Sequence, residues 1–352
     1  MFKNINCKNL PSLRRNIVYQ FLYELLIVFI PLFTIPYVSR VLGAENIGLF
    51  SYTYAVANYF VLFANLGIKN YGSRTIAMVR NNKEELNRNF SEILSIHIIF
   101  SIIVIFVYLV LLFFFVEDNL VIFLIQSIYV FAAVFDINWF FFGIEKFKLT
   151  VGRNTLVKIL SVFLVLVFVK TQTDLWIYAL ILALSVFVGQ SVVWFALKQY
   201  VSWRRPSWAN MKQHIRPLFV LFLPILALSL YKYMDKIMLG SISSNVQVGF
   251  YENAEKIINV PMSLIMAFGV VLMPRIANMV TSKDKGEVFK LIDMSMEAVM
   301  LLAIAISFGL AGISFVLAPI FFGYEFEECG ILIMGLAVTV PFMAFANVIR
   351  TQ

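Results

Sequence analysis

Charged residues are scarce in this chain. Asp, Glu, Lys and Arg supply only 14% of its 352 residues, whereas hydrophobic residues supply 61%. Soluble domains contain roughly a quarter charged residues and about half apolar ones. Because a soluble core of this length could not bury such an apolar excess, the composition excludes an ordinary soluble protein. It predicts an all-α integral membrane protein.

Cysteine and histidine are also rare, with two of each. Cys7 and Cys329 lie too far apart to indicate a disulfide framework or the ligand spacing of a zinc site. We expect His97 to be a packing residue near the start of a membrane span and His214 to lie in a loop. The sequence therefore predicts no metal site and no cofactor.

Catalytic motifs and large loops are missing as well. The chain has no GxxxxGK[ST] phosphate loop, no HExxH and no GxSxG, so it is not itself an ATP-driven pump and is predicted not to be an enzyme. The longest predicted loops, 69–91 and 198–216, are too short for a soluble domain. The net charge of +8 does not indicate nucleic acid binding, since the basic residues lie in short gaps between apolar runs.

Long apolar runs are what the chain has in abundance. A helix needs about 20 mostly apolar residues to cross the hydrocarbon layer, and about ten runs approach or exceed that length. The predicted transmembrane spans are 16–39, 46–68, 92–116, 120–143, 155–171, 176–197, 217–239, 248–274, 291–317 and 330–349. We expect Pro31 and Pro36 to interrupt the first span and Pro224 to interrupt the seventh.

Positive charges alternate between the two sides of this span map. Most of the 28 Lys and Arg residues fall in the N-terminal tail and in every second gap after it, whereas the other gaps hold only Arg40 and Lys170. Positive charge stays on the cytoplasmic side of a membrane. The pattern therefore predicts a cytoplasmic N-terminus and supports the number of spans.

An internal repeat is visible in the sequence. The segment IGLF containing Gly48 matches VGFY containing Gly249, and Arg74 follows Gly48 at the same distance as Arg275 follows Gly249. The match recurs after six spans, so both copies would have the same orientation, as in parallel-repeat transporters. Chance is the alternative explanation, because Gly, Ile and Phe are common here.

The repeat predicts two parallel lobes. Residues 1–200 would form an N-terminal six-helix lobe, and residues 201–352 a C-terminal lobe with about four helices. A second copy of six spans would need two more helices. The second lobe is therefore expected to be incomplete.

Several ionisable residues fall inside the predicted spans, where each costs about 2.5–3.5 kcal/mol at mid-membrane unless it has a partner or water. They are Glu24 in span one, Asp136 in span four, Lys232, Asp235 and Lys236 in span seven, and Glu252, Glu255 and Lys256 in span eight. For Glu24 we favour a proton site facing a cavity over a hydrogen bond to a neighbouring helix. For Asp136 we favour a structural role.

The charges of spans seven and eight form two triads with the same spacing. Positions i, i+3 and i+4 share one helix face, and both triads are predicted to lie in the outer third of the membrane. One interpretation is a polar cavity wall that binds an anionic head group and senses protons. The other is a neutral ion-pair network that holds two neighbouring helices together. The sequence does not favour either.

Several segments resemble a known family of bacterial membrane proteins. They are PYVSRVLGAENIGLFSY at 36–52, NLGIKNYGSR at 65–74, DKIMLG at 235–240, VGFYENAEK at 248–256, MPRI at 273–276 and FFGYEF at 321–326. They resemble the Wzx-type polysaccharide-biosynthesis flippases, which transport O-antigen, capsule and exopolysaccharide repeat units. These belong to the multidrug/oligosaccharidyl-lipid/polysaccharide (MOP) exporter superfamily. The similarity covers nearly the whole chain, although family members usually have twelve or more spans.

The resemblance implies a MATE-like MOP fold in the bacterial cytoplasmic membrane. It also implies translocation of undecaprenyl-pyrophosphate-linked oligosaccharide by alternating access, coupled to an ion or proton gradient, with a cavity between two lobes sheltering the head group. Implied partners are the lipid-linked glycan, the lipid bilayer, a polysaccharide polymerase and glycosyltransferases, but no nucleic acid.

On this interpretation the intramembrane charges take two roles. Candidate contacts for pyrophosphate or sugar are Arg40, Lys232, Lys236 and Lys256. Candidate proton-coupling or gating groups are Glu24, Asp235, Glu252 and Glu255. Three alternatives stay open: a drug/cation antiporter of the same superfamily, a flippase for lipid-linked peptidoglycan precursors, and a membrane-embedded polysaccharide-processing enzyme. The lysines weigh against the antiporter, which would need an acidic cavity.

Overall fold

The computed structural model is almost entirely α-helical. It describes the backbone of residues 10–281 and 285–351, and the side chains of residues 30–146, 149–263, 265 and 293–349. The helices in this part of the chain are α1 Leu10–Asn65, α2 Ile68–Val79, α3 Lys83–Phe115, α4 Leu120–Val134, α5 Asn138–Gly143, α6 Phe147–Phe168, α7 Leu175–Leu197, α8 Trp208–Ile242, α9 Asn245–Thr281, α10 Lys285–Phe322, α11 Cys329–Ala337 and α12 Thr339–Thr351.

The all-α membrane class predicted from composition is confirmed. Every predicted span falls on a helix or on a broken pair of helices. Within the described residues, seven helices are long and apolar enough to cross a membrane, or eight if the pair Cys329–Ala337 and Thr339–Ile349, bent by 41°, forms one span. The predicted spans 16–39 and 248–274 lie partly outside the described side chains, so the count of about ten stays a prediction.

The first long helix turns at a glycine and not at its prolines. Gly43 has φ 76° and ψ 170°, the one non-helical position inside α1. A side chain is strongly disfavoured in that backbone conformation, so glycine suits the corner between the first two predicted spans. The predicted interruptions at Pro31 and Pro36 were wrong, because the helix continues through both. Helix α8 likewise continues through Pro224.

Contacts within the chain define two units. Of the described residues, the first unit contains 10–30 and Phe50–Ser243, and the second contains Pro31–Leu49 and 244–351. Helix α8 therefore belongs to the first unit, and the part of α1 from Pro31 to Leu49 belongs to the second. The division into lobes at residue 200 stays a prediction.

The core of the first unit includes a helix that the sequence analysis assigned to a loop. Ile68 and Ile76 of α2 are fully buried, whereas Lys69 and Arg74 on the same helix are exposed. This spacing gives α2 one apolar face. Beside it, the ring of Phe90 stacks on Trp139 with their centroids 5.6 Å apart.

The second unit has its own core, formed by α9, α10, α11 and α12. Its buried members are Ile258, Met262, Ile265, Val299, Ala303, Ala337, Val340, Ala344 and Val348. At the start of α11, Cys329 is a buried free thiol that donates to the backbone oxygen of Phe250 at 3.3 Å. Phe250 also packs edge-on against Phe326. The corner before α11 is thereby attached to α9.

Candidate functional site

The α8 triad lies on one helix face of the first unit, as its spacing predicts. Lys232 and Asp235 are exposed, and Lys236 is half-buried. The Nζ atom of Lys232 lies 5.4 Å from the ring centroid of Tyr233, and among the described residues Lys232 has no ion-pair partner. Asp235 interacts electrostatically with Tyr59. An exposed ammonium on a membrane helix needs water or a polar ligand, because hydrocarbon does not solvate it.

The α9 triad in the second unit has a different environment. The Nζ of Lys256 lies 3.1 Å from Oε1 of Glu252, one turn away on the same helix, and both side chains are half-buried. Glu255 on the same helix is also half-buried. This ion pair lies within α9, so the predicted ion-pair network between two helices stays a prediction. Their proposed roles in ligand contact and gating stay predictions.

Arg40, the candidate ligand contact outside the two triads, contacts the end of a helix. Its Nη2 donates to the backbone oxygen of Ile320 at 2.6 Å, in the last turn of α10. The last carbonyls of a helix lack intrahelical partners and carry partial negative charge, so a guanidinium there is stabilising. The structure therefore gives Arg40 a helix-capping contact, and its predicted role as a ligand contact stays a prediction.

Glu325 makes the reciprocal contact in the same corner. Its Oε1 accepts a hydrogen bond of 2.9 Å from the backbone N–H of Ala44, which directly follows the break at Gly43. The first N–H groups of a helix are unsatisfied and positive, and a carboxylate there is favourable. Arg40 thus caps the end of α10, while Glu325 caps the helix that resumes after Gly43.

Removing the Glu325 charge is expected to destabilise this corner. We predict that Glu325→Gln lowers the free energy of unfolding by about 1 kcal/mol, the usual value of a helix cap, because a charge-assisted hydrogen bond becomes a neutral one. Thermal unfolding of the purified protein in detergent measures the change. Glu327→Gln is the matched control, since Glu327 is exposed two residues away. Equal midpoints for the two variants would contradict the capping role.

A close helix crossing joins the two glycines that the repeat analysis aligned. A Cβ atom added at Gly48 would lie 1.6 Å from the backbone oxygen of Asn245, and one added at Gly249 would lie 2.1 Å from the backbone oxygen of Ala44. Ala44 and Asn245 each precede their glycine by four residues. The two contacts are therefore related by the repeat, which favours a true internal repeat over a chance match.

Two further contacts follow the same alignment. In the second unit, Nδ2 of Asn253 donates to Oγ of Ser39 at 2.9 Å, and both side chains are buried. The aligned positions are Tyr52 and Gly240 in the first unit, where a Cβ added at Gly240 would lie 2.3 Å from the Tyr52 ring. At these aligned positions the second unit has a side-chain hydrogen bond, whereas the first unit has an aromatic ring packed against a glycine.

A buried hydrogen-bonded triad was missed by the sequence analysis. Nε2 of His214 lies 2.9 Å from Oε2 of Glu92, and Nδ1 of His214 lies 2.6 Å from the Tyr71 hydroxyl. The side chains of His214 and Glu92 are only 3% and 1% exposed. The expectation that His214 lies in a loop was wrong, because α8 begins at Trp208 and carries His214 into the core. The three residues are called the Glu92–His214–Tyr71 triad below.

The connection between α7 and α8 is fixed beside this triad. Oδ1 of Asn87 accepts from the backbone N–H of Ser202, and Oγ of Ser91 accepts from that of Arg204, both at 3.0 Å. The Arg204 guanidinium also pairs with Glu84 at 3.2 Å. The first turns of α3 therefore hold the chain in place just before α8 begins.

Asp136 lies at the break between α4 and α5. Its Oδ1 accepts from the backbone N–H of Asn138 at 3.0 Å and from Nδ2 of Asn138 at 2.7 Å. Arg153 then donates to Oδ1 of Asn138 and to the backbone oxygen of Gly189. These contacts support the structural role favoured for Asp136, although it reaches the cation through an asparagine.

The remaining predicted positions add little to the site. Glu24 lies on α1, but its side chain is outside the described residues. His97 is fully buried, and neither ring nitrogen has a hydrogen-bond partner among the described residues. No group of three or more His, Cys, Asp or Glu residues that could hold a metal ion occurs in the part of the chain with described side chains.

The long apolar helices define a multi-pass membrane protein. Two solved structures share its fold, which is therefore MOP-like. One is described as the lipid II flippase MurJ in an inward closed conformation, with TM-score 0.70 and 14% identity over 96% of this chain and 74% of that one. The other is a MATE family transporter of the MOP superfamily in an inward-facing conformation, with TM-score 0.61 and 14% identity over 94% and 84%.

The chain belongs to the polysaccharide biosynthesis protein family, whose sequence profile matches residues 13–280. Two relatives are named as O-antigen transporters. The one from Escherichia coli strain K12 is 26% identical over 98% of this chain and 84% of its own length. The one from Shigella dysenteriae is 24% identical over 90% and 80%. These findings confirm the family resemblance stated from the sequence.

Proposed function

We propose that the protein is a flippase that carries lipid-linked oligosaccharide repeat units across the cytoplasmic membrane for surface polysaccharide assembly. The observation that carries this proposal is the charged α8 triad, with Lys232 and Asp235 exposed, in a chain whose relatives are named as O-antigen transporters. The protein moves its substrate without changing it covalently, which fits the absence of catalytic motifs in the sequence.

The substrate we propose is oligosaccharide linked to undecaprenyl pyrophosphate. Sugars and phosphates lose their water on entering hydrocarbon and find no replacement partners there. Lys232 presents an ammonium with three donors and no ion-pair partner among the described residues, so it is suited to a phosphate or sugar oxygen. Lys236, one turn along, extends the same face. Lys256 contributes less, because Glu252 already neutralises it.

We further propose that an ion or proton gradient drives the transport, with the N-terminus in the cytoplasm. The acidic candidates are Glu24, Asp235, Glu252 and Glu255. Among those with described side chains, Asp235 is exposed beside the lysines, which suits it to a gating role. Glycosyltransferases and a polymerase are the expected functional partners, since they would supply and consume the repeat unit.

Complementation of a bacterium that lacks its own O-antigen transporter tests this function. Expression of the protein together with its own glycosyltransferases should restore the polymer on the cell surface and remove accumulated lipid-linked units. The relative from Escherichia coli, expressed with its own glycan, provides the positive control. A drug/cation antiporter would instead confer drug resistance without surface polymer. That result, at normal membrane levels of the protein, would contradict the proposal.

A further inference from the structure

The Glu92–His214–Tyr71 triad joins three helices of the first unit through one imidazole. Tyr71 comes from α2, Glu92 from α3 and His214 from α8, and both heavy-atom contacts are short enough to be strong hydrogen bonds. A carboxylate that is 1% exposed needs a partner, because an unpaired buried charge is very costly. The histidine fills that need and leaves its second nitrogen to the tyrosine.

This arrangement accommodates two proton states without losing a hydrogen bond. With a neutral ring, Nε2–H donates to Glu92 and the Tyr71 hydroxyl donates to Nδ1. With a charged ring, Nε2–H still donates to Glu92, while Nδ1–H donates to the Tyr71 oxygen. The proton enters or leaves at Nδ1, and only the Tyr71 hydroxyl hydrogen must rotate.

The change of charge occurs where little else can screen it. With Glu92 ionised, the triad carries one negative charge when the ring is neutral and none when the ring is charged. The other charged side chains on α2, on the first turns of α3, on the segment before α8 and on the first turns of α8 are Lys69, Arg74, Lys83, Glu84, Glu85, Arg88, Lys198, Arg204, Arg205, Lys212 and Arg216, and none of them is buried. Of the titratable groups further along, His97 on α3 is buried and Asp136 after α4 is half-buried.

We propose that the Glu92–His214–Tyr71 triad binds the proton whose movement drives transport. The role of this proton in transport rests on the proposed function, whereas proton binding by the triad does not. It assigns proton binding to the first unit, at residues other than the acidic side chains of the predicted spans seven and eight.

Helix α8 connects this proton site to the proposed head-group contacts. His214 and Lys232 lie on the same helix, 18 residues or about 27 Å apart. Pro217 and Pro224 lie between them, and each proline removes a backbone hydrogen bond, so the helix bends most easily there. The change of charge at His214 therefore takes place on the same helix that carries Lys232.

Transport measurements on matched histidine variants test the coupling. In vesicles with an imposed pH gradient, the gradient-dependent transport rate should fall at least tenfold in His214→Gln and in Glu92→Gln. His97→Gln is the matched control, since it removes the other buried imidazole, and it should retain the gradient dependence. Retention in His214→Gln would overturn the proposal, as would the absence of gradient dependence in the wild-type protein.

A measurement that needs no transport tests proton binding itself. The chain has two histidines, so the folded His97→Gln protein labelled with ¹⁵N-histidine has one imidazole. Its ring nitrogen signals, followed from about pH 8 to 5, report whether the ring takes up a proton, as the proposal requires. Adding Glu92→Gln should alter these signals, because Nε2–H then donates to a neutral amide oxygen.

The two measurements separate the possible failures. A ring that keeps one protonation pattern across this pH range, in protein shown to be folded, would overturn the proposal regardless of any transport result. Normal proton binding in a protein that moves no glycan would leave the triad in place and contradict the proposed function. Tyr71→Phe keeps the packing and removes only the hydroxyl. It should alter the ring signals, whereas unaltered signals would show that Tyr71 is not part of the proton site.

Discussion

Gly48→Ala and Gly249→Ala are each expected to abolish surface polymer and to lower the stability of the protein. An added Cβ would lie 1.6 Å from a backbone oxygen in the first case and 2.1 Å in the second, far inside van der Waals contact. The clashing atoms are main-chain carbonyls of a packed helix, so no side-chain rotation relieves them. Overpacking typically costs about 1–3 kcal/mol and occasionally more, and we expect these variants at or above the upper end.

Other glycines provide matched controls for this prediction. Added Cβ atoms at Gly309 and Gly312 of α10 would meet nothing within 4 Å, so Gly309→Ala and Gly312→Ala should not lower stability or surface polymer. Because alanine favours a helix over glycine by up to about 1 kcal/mol, any change in the stability of these controls should be an increase. The unfolding midpoint is measured in detergent, and the amount of each variant is measured in the cell membrane. A Gly48→Ala protein with a wild-type midpoint would show that the crossing is not close-packed.

Lys232→Gln is expected to reduce transport by about ten- to a hundredfold. Lys232 is exposed and has no ion-pair partner among the described residues, so its ammonium is available to the head group. Loss of one charge-assisted hydrogen bond costs about 1.5–3 kcal/mol, and each 1.4 kcal/mol corresponds to a factor of ten. Glutamine keeps a donor and much of the length, so the variant changes mainly the charge.

Two comparison variants make the Lys232 prediction specific. The double variant Glu252→Gln with Lys256→Gln removes a pair whose charges already balance. It should therefore reduce transport by no more than about two- to threefold. Lys170→Gln removes another exposed lysine, which already donates to the backbone oxygen of Leu166 in the last turn of α6. If the double variant were more damaging than Lys232→Gln at equal membrane levels, the head-group role would belong to α9 and not to α8.

The membrane helices could be predicted from the sequence because apolar length and charge alternation are local signals. The helix start at Lys83 could have been predicted in the same way. Asn82 accepts hydrogen bonds from the N–H groups of Glu84 and Glu85, and an asparagine followed by acidic residues is a typical helix start. This segment falls in the predicted loop 69–91.

The repeat was also detectable from sequence, but its physical meaning was not. Aligning Gly48 with Gly249 required only spacing, whereas their packing against Asn245 and Ala44 depends on how two distant helices cross. The corner at Gly43 illustrates a different difficulty. The prolines before it are stronger sequence signals, yet a membrane helix can continue through proline when neighbouring groups satisfy the freed carbonyls.

The buried triad could not have been predicted as a unit. Glu92 and His214 are separated by 122 positions, and no periodic pattern brings a carboxylate to an imidazole on another helix. His214 stands among Lys212, Pro217 and polar residues, which favoured a loop. A Glu at the start of an apolar run was the one available signal for Glu92. Its burial depends on packing against α8, which only the fold provides.

The most direct test of the proposed function is the movement of lipid-linked glycan between leaflets in vesicles that contain only the purified protein. Undecaprenyl-pyrophosphate oligosaccharide is placed in both leaflets, and the fraction accessible to an enzyme added outside is followed with time. We expect complete accessibility within minutes in vesicles with wild-type protein, and an approximately tenfold or greater slowing with Lys232→Gln. Accessibility that stays at the level of protein-free vesicles, with folded protein present, would contradict the account.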